Sequence, residues 1–167
     1  MKINFLIPPP EKGKAVERIF GCNYGFFSQH NVLMLYPATV LKQNGFDVKV
    51  TDCVADGIED LKSFIKRDDC RVYVFYTNFL SRELDKKSAR LILGVKDAKI
   101  VFIGSDPSYK PEQYLMNENC FVIRGESEEI ILKLIKSLIG ILQDLCMNKK
   151  YYARILHKRK ILCKYFA

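Results

Sequence analysis

Five short runs of apolar residues recur along the chain at fairly regular intervals. Most are nearly continuous in Val, Ile, Phe and Tyr instead of alternating with polar residues, which is typical of strands that are buried on both faces of a sheet. The predicted strands cover residues 3–8, 46–51, 71–76, 99–103 and 121–124.

Segments with the apolar spacing of helices lie between these runs. Gly45 suits the end of the first helix, and Pro37 inside it either starts the main helix or kinks a longer one. Ser127 caps the last and longest helix, whose apolar stripe runs to Leu145. The predicted helices cover residues 32–44, 58–67, 81–93, 110–116 and 128–145.

The alternation of strands and helices predicts an α/β fold in which helices cover both faces of a parallel sheet. With right-handed crossovers this becomes a Rossmann-like, flavodoxin-like, doubly wound sheet of five parallel strands. A chain of 167 residues leaves little length for a second domain, so a single domain is expected.

The net charge of +8 is concentrated at the end of the chain. Residues 147–167 carry seven basic side chains and no acidic one, so the rest of the chain has a net charge of only +1. We therefore divide the chain into a domain at 1–146 and a basic tail at 147–167. The tail is interpreted as a partly helical extension, with contact to a partner or an anionic surface as the alternative. The nearly neutral body gives no reason to expect nucleic-acid binding.

Composition and motif searches exclude several other classes. The six cysteines are scattered, without the spacing of a zinc or iron–sulfur site, and we interpret them as reduced thiols.

No stretch approaches the ~20 apolar residues of a membrane span, and a triple proline makes the first residues a poor signal peptide. We expect a cytoplasmic protein without a membrane partner. Neither GxGxxG nor GxxxxGK(S/T) occurs, which disfavours the usual kinds of nucleotide-phosphate binding.

Small, polar and aromatic residues follow each predicted strand, at the edge of the sheet where such folds bind ligands. The long first loop either covers a ligand or packs Phe26 and Phe27 onto the domain. Asp52, after the second strand, either contacts a ribose hydroxyl or caps its own turn. The later turns are weak signals singly, but together they would wall one crevice. They are Thr77-Asn78-Phe79, Gly104-Ser105-Asp106-Pro107 and Arg124-Gly125-Glu126-Ser127.

Five segments, taken together in their order and spacing, point to one family. They are IPPP, IFGCNYGFF, LKQNGFDVKVTDC, VFIGSDPSYKPEQYL and CFVIRGESEEIILKLI. They closely resemble the N-terminal cobalamin-binding domain of cobalamin-dependent radical SAM enzymes, over residues 1–140. The most specific parts are the proline exit with its Gly-x-x-Tyr-Gly loop, the turn at 104–112 and the Arg-Gly-Glu turn at 124–126.

The resemblance implies a Rossmann-like domain whose strand ends hold a corrin ring, with the dimethylbenzimidazole tail along the sheet edge. The long first loop would lie against one face of the ring. The turns after the fourth and fifth strands would line the slot for the tail. The cofactor-binding residues that it implies are Pro9, Asn23, Tyr24, Phe26, Asp52, Thr77, Asn78, Phe79, Gly104, Ser105, Asp106, Pro107, Gly125 and Glu126.

Two features of that family are missing from this chain. The Asp-x-His-x-x-Gly signature of proteins that ligate cobalt from below does not occur, and the surroundings of His30 do not match a ligand motif. We therefore expect no metal ligand among the side chains. The CxxxCxxC motif of the catalytic barrel is also missing, so we expect no iron–sulfur cluster, no catalytic residue and no independent radical SAM catalysis.

The leading hypothesis is therefore a cobalamin-binding module without independent catalysis. Its expected partners are cobalamin and a separate radical SAM catalytic protein. The first alternative is a Rossmann-like interaction module that no longer binds corrin and makes contact through the basic tail. The second is an enzyme that acts on another small ligand in the same crevice, but no arrangement of His with Asp, Ser or Cys in the loops favours it.

If the chain binds corrin, the His30→Ala substitution should leave the spectrum and the affinity of the bound cobalamin nearly unchanged, because no histidine is expected below the cobalt. Electron paramagnetic resonance of cob(II)alamin bound to the two proteins makes the comparison. A change in the superhyperfine splitting on substitution would show that His30 ligates the metal.

Overall fold

The computed structural model describes residues 1–11, 31–138 and 140, together with the backbone of two strands at 151–156 and 159–164. The strands are β1 Lys2–Ile7, β2 Asp47–Asp52, β3 Val72–Tyr76, β4 Lys99–Ile103, β5 Cys120–Arg124, β6 Tyr151–Leu156 and β7 Arg159–Lys164. The helices are α1 Val32–Gln43, α2 Leu61–Arg67, α3 Arg82–Val95, α4 Ser105–Tyr109 and α5 Glu128–Leu138, and a 3-10 turn covers Pro111–Gln113.

The strands form one sheet in the order β2-β1-β3-β4-β5-β7-β6. The first five strands run parallel throughout, with β1 between β2 and β3. This is the strand order of the flavodoxin-like doubly wound fold. The predicted Rossmann-like α/β domain with five parallel strands is confirmed, and each predicted strand lies within one residue of its observed bounds.

Two further strands extend this sheet beyond β5. β7 pairs in parallel with β5, placing Ile161 beside Val122, and β6 pairs antiparallel with β7. The interpretation of the tail as partly helical was therefore wrong for residues 151–156 and 159–164. Tyr and Ile favour strands, and the gain from pairing with β5 is not visible in a local pattern. The division of the chain at residue 146 stays a prediction.

Strands β1, β3, β4 and β5 are buried on both faces, as the continuous apolar runs indicated. On one face, α1 and α5 pack with side chains such as Ile3, Phe5 and Val101. On the other face, α2 and α3 contribute Ile65 and Ile92 to a cluster with sheet residues that include Tyr73, Phe75 and Phe102. Burying both faces explains why the strands lack alternation of polar and apolar residues.

Several helix bounds differ from the predicted ones. Asp60 caps α2 by accepting a hydrogen bond from the Ser63 N–H, so the helix begins later than expected. Within 110–116, where a helix was predicted, the structure has only the 3-10 turn at Pro111–Gln113, and the short helix α4 precedes it. α5 ends at Leu138, before Gly140, whose φ of 74° suits a helix end. The predicted extension of this helix to Leu145 falls outside the described residues. Residues 141–150 lie outside the described part of the chain. Within that part, no helix combines the length and apolarity needed to cross a bilayer.

A buried carboxylate joins three elements at the amino edge of the sheet. Asp68, which follows α2, accepts hydrogen bonds from Asn4 Nδ2 on β1 and from the Tyr73 hydroxyl on β3, both at 3.0 Å. Lys49 Nζ on β2 lies 2.9 Å from the same carboxyl group, and the Cys70 N–H donates to it at 3.1 Å. Burial disfavours the charged form, but these donors outweigh it and hold the pKa of Asp68 well below its usual value.

We expect Asp68→Asn to lower the free energy of unfolding at neutral pH by about 1.5–3 kcal/mol, the value of a hydrogen bond to a charged group. The unfolded pKa is about 3.9 and the folded pKa is lower. The stabilisation is therefore present above about pH 4 and is lost as the pH falls through the folded pKa. Urea unfolding of both proteins, followed from neutral pH down to about pH 2, measures the difference.

The matched control is Asp69→Asn, because Asp69 is exposed and pairs with Lys2 Nζ at 2.5 Å. A pair of exposed groups contributes little, so this variant should retain the acid dependence of the parent protein. Equal effects of the two substitutions would contradict the assignment to Asp68.

Candidate functional site

The carboxyl ends of the strands form the edge at which the strand order reverses. In the sheet, β1 lies between β2 and β3. The connection that leaves β1 runs toward β2, whereas the connection that leaves β3 runs the other way, toward β4, so a crevice opens between β1 and β3. The loop that follows β1 starts at this point. Glu11 in its first part forms an ion pair with Lys87 of α3 at 2.5 Å, which ties the loop's start to the helix layer.

The turn after β3 is held by a buried polar network. The Thr77 hydroxyl donates to Asp85 Oδ2 at 2.7 Å, and the Ser81 hydroxyl donates to the same oxygen at 2.9 Å. Asn78 Oδ1 accepts from the backbone N–H groups of Leu80 and Ser81, at 3.0 and 2.9 Å. Thr77 and Asn78 therefore fasten this turn to the first part of α3. Phe79 is left with its side chain 67% exposed.

The turn after β4 depends on a glycine in a conformation that other residues avoid. Gly104 has φ 111° and ψ −174°, a region that is essentially restricted to glycine. A Cβ atom there would lie 2.5 Å from the Thr77 carbonyl oxygen. The backbones that leave β3 and β4 thus approach closely, and the Asp106 N–H reaches the Thr77 oxygen at 3.4 Å.

Asp106 lies in α4 and points its carboxylate at protein partners. Arg82 binds both oxygens, with Nε at 2.7 Å and Nη2 at 2.5 Å, in the bidentate geometry that makes strong pairs. The Tyr114 hydroxyl also donates to this group. The Arg82 guanidinium lowers the pKa of Asp106, and burial raises the pKa of the Tyr114 hydroxyl. Asp106 therefore holds α4 against α3 and the 3-10 turn. Next to it, Pro107 is buried and Ser105 is exposed.

Ser108 connects the turn after β4 to the turn after β5. Its hydroxyl donates to the Gly104 carbonyl at 2.7 Å and accepts from the Gly125 N–H at 2.9 Å. Arg124 Nε donates to the Ser108 carbonyl oxygen at 2.9 Å. The structure thus brings Thr77, Gly104 and Gly125 together in one chain of contacts along the edge.

The predicted residues at the other end of the edge have simpler surroundings. Asp52 is buried and its Oδ1 accepts from the Val54 and Ala55 N–H groups, at 3.0 and 3.3 Å, so it caps its own turn. Pro9 is half-buried and Glu126 is exposed. The predicted residues Asn23, Tyr24 and Phe26, and also His30, lie outside the described residues. The assignment of all fourteen residues to a cofactor stays a prediction.

Exposed apolar side chains are concentrated at this edge. Among the described residues, seven of the nine large apolar side chains with high exposure lie at the start of α1 or after β2, β3 or β4. The most exposed are Tyr109 at 78%, Phe79 at 67% and Tyr36 at 62%. The seven are Val32, Leu33, Tyr36, Val54, Phe79, Leu80 and Tyr109. Such a concentration is typical of a surface that binds a large apolar ligand or a partner.

An acidic cavity lies beside the turn after β5. It has a volume of about 390 Å³ and is lined by Tyr36, Glu126, Glu128 and Glu129. The glutamates stand at the start of α5, where the helix dipole favours negative charge. The carboxyl edge therefore combines apolar side chains after β3 with hydrogen-bond acceptors after β5.

The described residues offer one weak candidate for a metal centre, and its electrostatics disfavour it. The ligand atoms of Asp68, Asp69 and Cys70 lie within 4.8 Å of one another at the amino edge. Both carboxylates already pair with lysines. Burial raises the pKa of the Cys70 thiol to about 12, so the thiolate that metals require does not form at neutral pH.

Sequence reasoning named Thr77 and Gly104 but missed three other residues that organise the edge. Ser108, Arg82 and Asp85 act through contacts with groups that lie 4 to 24 positions away in the chain. Ser81 and Asp85 are four residues apart at the start of α3, and this spacing was a signal that their side chains meet. No local signal indicated the partner of Asp106.

A comparison with solved structures found a similar fold in the radical S-adenosylmethionine methyltransferase TsrM from Kitasatospora setae, in a structure with tryptophan substrate and the SAM analogue aza-SAM bound. The TM-score is 0.59 and the sequence identity is 14%. The similar region covers 86% of this chain and 26% of that enzyme. At this identity the likeness shows the fold. Comparisons with protein-family models and with curated proteins found no match.

The close approach at Gly104 leads to a testable prediction. Gly104→Ala should lower the melting temperature more than Gly125→Ala, because both positions have positive φ but only Gly104 would also place its Cβ against backbone. The conformational strain costs about 1–3 kcal/mol at either position, and the contact with Thr77 adds to it at Gly104. Thermal unfolding of the two variants tests this, and equal losses would contradict the proposed role of the close approach.

Proposed function

We propose that the chain is a cobalamin-binding module of the kind that resembles the N-terminal domain of cobalamin-dependent radical SAM enzymes. The observation that carries the proposal is the concentration of exposed apolar side chains at the carboxyl edge of a flavodoxin-like sheet. This is the edge at which the fold binds ligands. The fold similarity to a radical SAM methyltransferase agrees with the resemblance found in the sequence.

The chemistry of the edge fits a large macrocycle. A corrin ring has extensive apolar faces and a periphery of amides that donate hydrogen bonds. Phe79 and Leu80 supply exposed apolar surface, and the glutamates beside Tyr36 supply acceptors. Gly125 is exposed and has no side chain, so the nucleotide tail could approach its backbone, while its N–H is held by the Ser108 hydroxyl. The buried network below Thr77 fixes the turn that presents Phe79 before any ligand arrives.

The module orients its cofactor and shields it from water, which is the usual contribution of a protein to cofactor chemistry. When bound, cobalamin supplies a cobalt centre for methyl-group chemistry. We expect the reaction itself to belong to a radical SAM catalytic partner. The only metal proposed is thus the cobalt of the cofactor, and the expected location is the cytoplasm.

A spectroscopic experiment tests the proposal directly. The full chain is incubated with hydroxocobalamin, desalted and examined for a retained visible spectrum. The double substitution Phe79→Ser and Leu80→Ser should weaken binding by about tenfold or more, because burying one large apolar side chain is worth about 1.5–3 kcal/mol. The melting temperature should stay the same, since both side chains are exposed in the free protein.

The matched control is Val50→Ser, which removes another exposed apolar side chain from β2. It should leave cobalamin binding unchanged. Equal weakening by both variants would mean that corrin binds non-specifically. A folded protein that retains no corrin would favour the alternative, a Rossmann-like interaction module that no longer binds corrin.

A further inference from the structure

The sheet ends in a strand that has only one neighbour. β6 is the last strand in the order and pairs with β7 alone, so within the described strands its outer backbone N–H and C=O groups face no other strand. An open edge of this kind can accept one more strand through main-chain hydrogen bonds.

The two edge strands of the sheet, β2 and β6, differ in how strongly their residues discourage pairing with another strand. β2, at the opposite edge, has the sequence DVKVTD, in which four of six residues are polar or charged. Its Asp47 and Lys49 pair with Lys2 and Asp68 at 3.9 and 2.9 Å. β6 has the sequence YYARIL, with Arg154 as its one charged residue. Charged side chains discourage pairing at an edge, so β6 is the more receptive one.

The charge around β6 has a single sign. Residues 147–167 carry seven basic residues and no acidic one. Four of these basic residues belong to the two strands: Arg154 is in β6, and Arg159, Lys160 and Lys164 are in β7. A strand added at this edge therefore joins a segment whose charge is positive throughout.

We propose that the outer edge of β6 is a docking site for an extended, acidic segment of a partner protein, which joins the sheet as an eighth strand. Main-chain hydrogen bonds supply the register, and the basic residues select acidic side chains. A second copy of this chain is a poorer occupant, because two tails would bring fourteen positive charges together. This site is independent of the carboxyl edge and of cobalamin.

The experiment uses the full chain and a fluorescently labelled peptide of about eight alternating Val and Glu residues, a typical strand length. Fluorescence anisotropy measures its affinity. A peptide with Lys in place of Glu should not bind. Hydrogen exchange should show that the Val–Glu peptide protects alternate amides of β6, because successive residues of a strand direct their N–H groups to opposite sides.

Two proline variants separate strand pairing from simple charge attraction. Tyr152→Pro and Ala153→Pro remove consecutive N–H groups, so one loses a bond toward β7 and the other a donor at the outer edge. Exchange of the β7 amides shows which variant keeps the hairpin. That variant should bind the Val–Glu peptide about tenfold more weakly, the effect of one or two lost hydrogen bonds. An unchanged affinity in that variant would overturn the proposal.

A matched pair of charge variants tests the source of selectivity. One replaces Arg154, Arg159, Lys160 and Lys164 with Gln, and the other replaces Lys42, Lys62, Lys66 and Arg90, which are exposed on helices. The first should weaken peptide binding strongly and the second only slightly. Equal effects would overturn the proposal. So would tighter binding of single-stranded DNA of equal charge, or a dimer of the chain that the edge proline abolishes.

Discussion

The close contact between the backbones that leave β3 and β4 sets the geometry of the carboxyl edge from β3 to β5. Gly104 permits it, since a Cβ atom at this position would overlap the Thr77 carbonyl oxygen. Ser108 connects this contact to the turn after β5 through its hydrogen bond with the Gly125 N–H. Thr77 connects it to α3 through its hydrogen bond to Asp85. The turns after β3, β4 and β5 are thus joined by one continuous set of hydrogen bonds. Such preorganisation reduces the ordering cost of binding.

Much of the fold could be predicted from local pattern. Continuous apolar runs such as 99–103 indicated strands that are buried on both faces, and the alternation with helices then determined the parallel arrangement. The end of α1 was also visible: Gly45 takes a positive φ of 81° and its N–H bonds to the Lys42 carbonyl. In each case the physical cause lies within a few residues of the signal.

The rest depended on contacts that local sequence does not reveal. Asp106 looked like a turn residue that faces a ligand slot, but Arg82, on another element, binds its carboxylate. The short helix α4 begins where the Gly104 conformation directs the chain, so its position followed from tertiary packing. β7 gained its place from pairing with β5, about forty residues away. The candidate site was thus predicted at the level of the edge, and its internal bonding was not.

The placement of the β6–β7 hairpin has a consequence for the order of folding. Its ladder joins residues that are close in the chain, such as Leu156 with Arg159 and Ile155 with Lys160. Local hairpins form in about 1–10 μs, far faster than sheets that need distant segments to meet. The five-stranded parallel unit contains its own apolar clusters on both faces. The hairpin can therefore assemble separately and join the completed sheet at β5 as a late step. In this order of events, the nearly neutral body folds first and the basic segment then docks onto an edge of the sheet that is already formed.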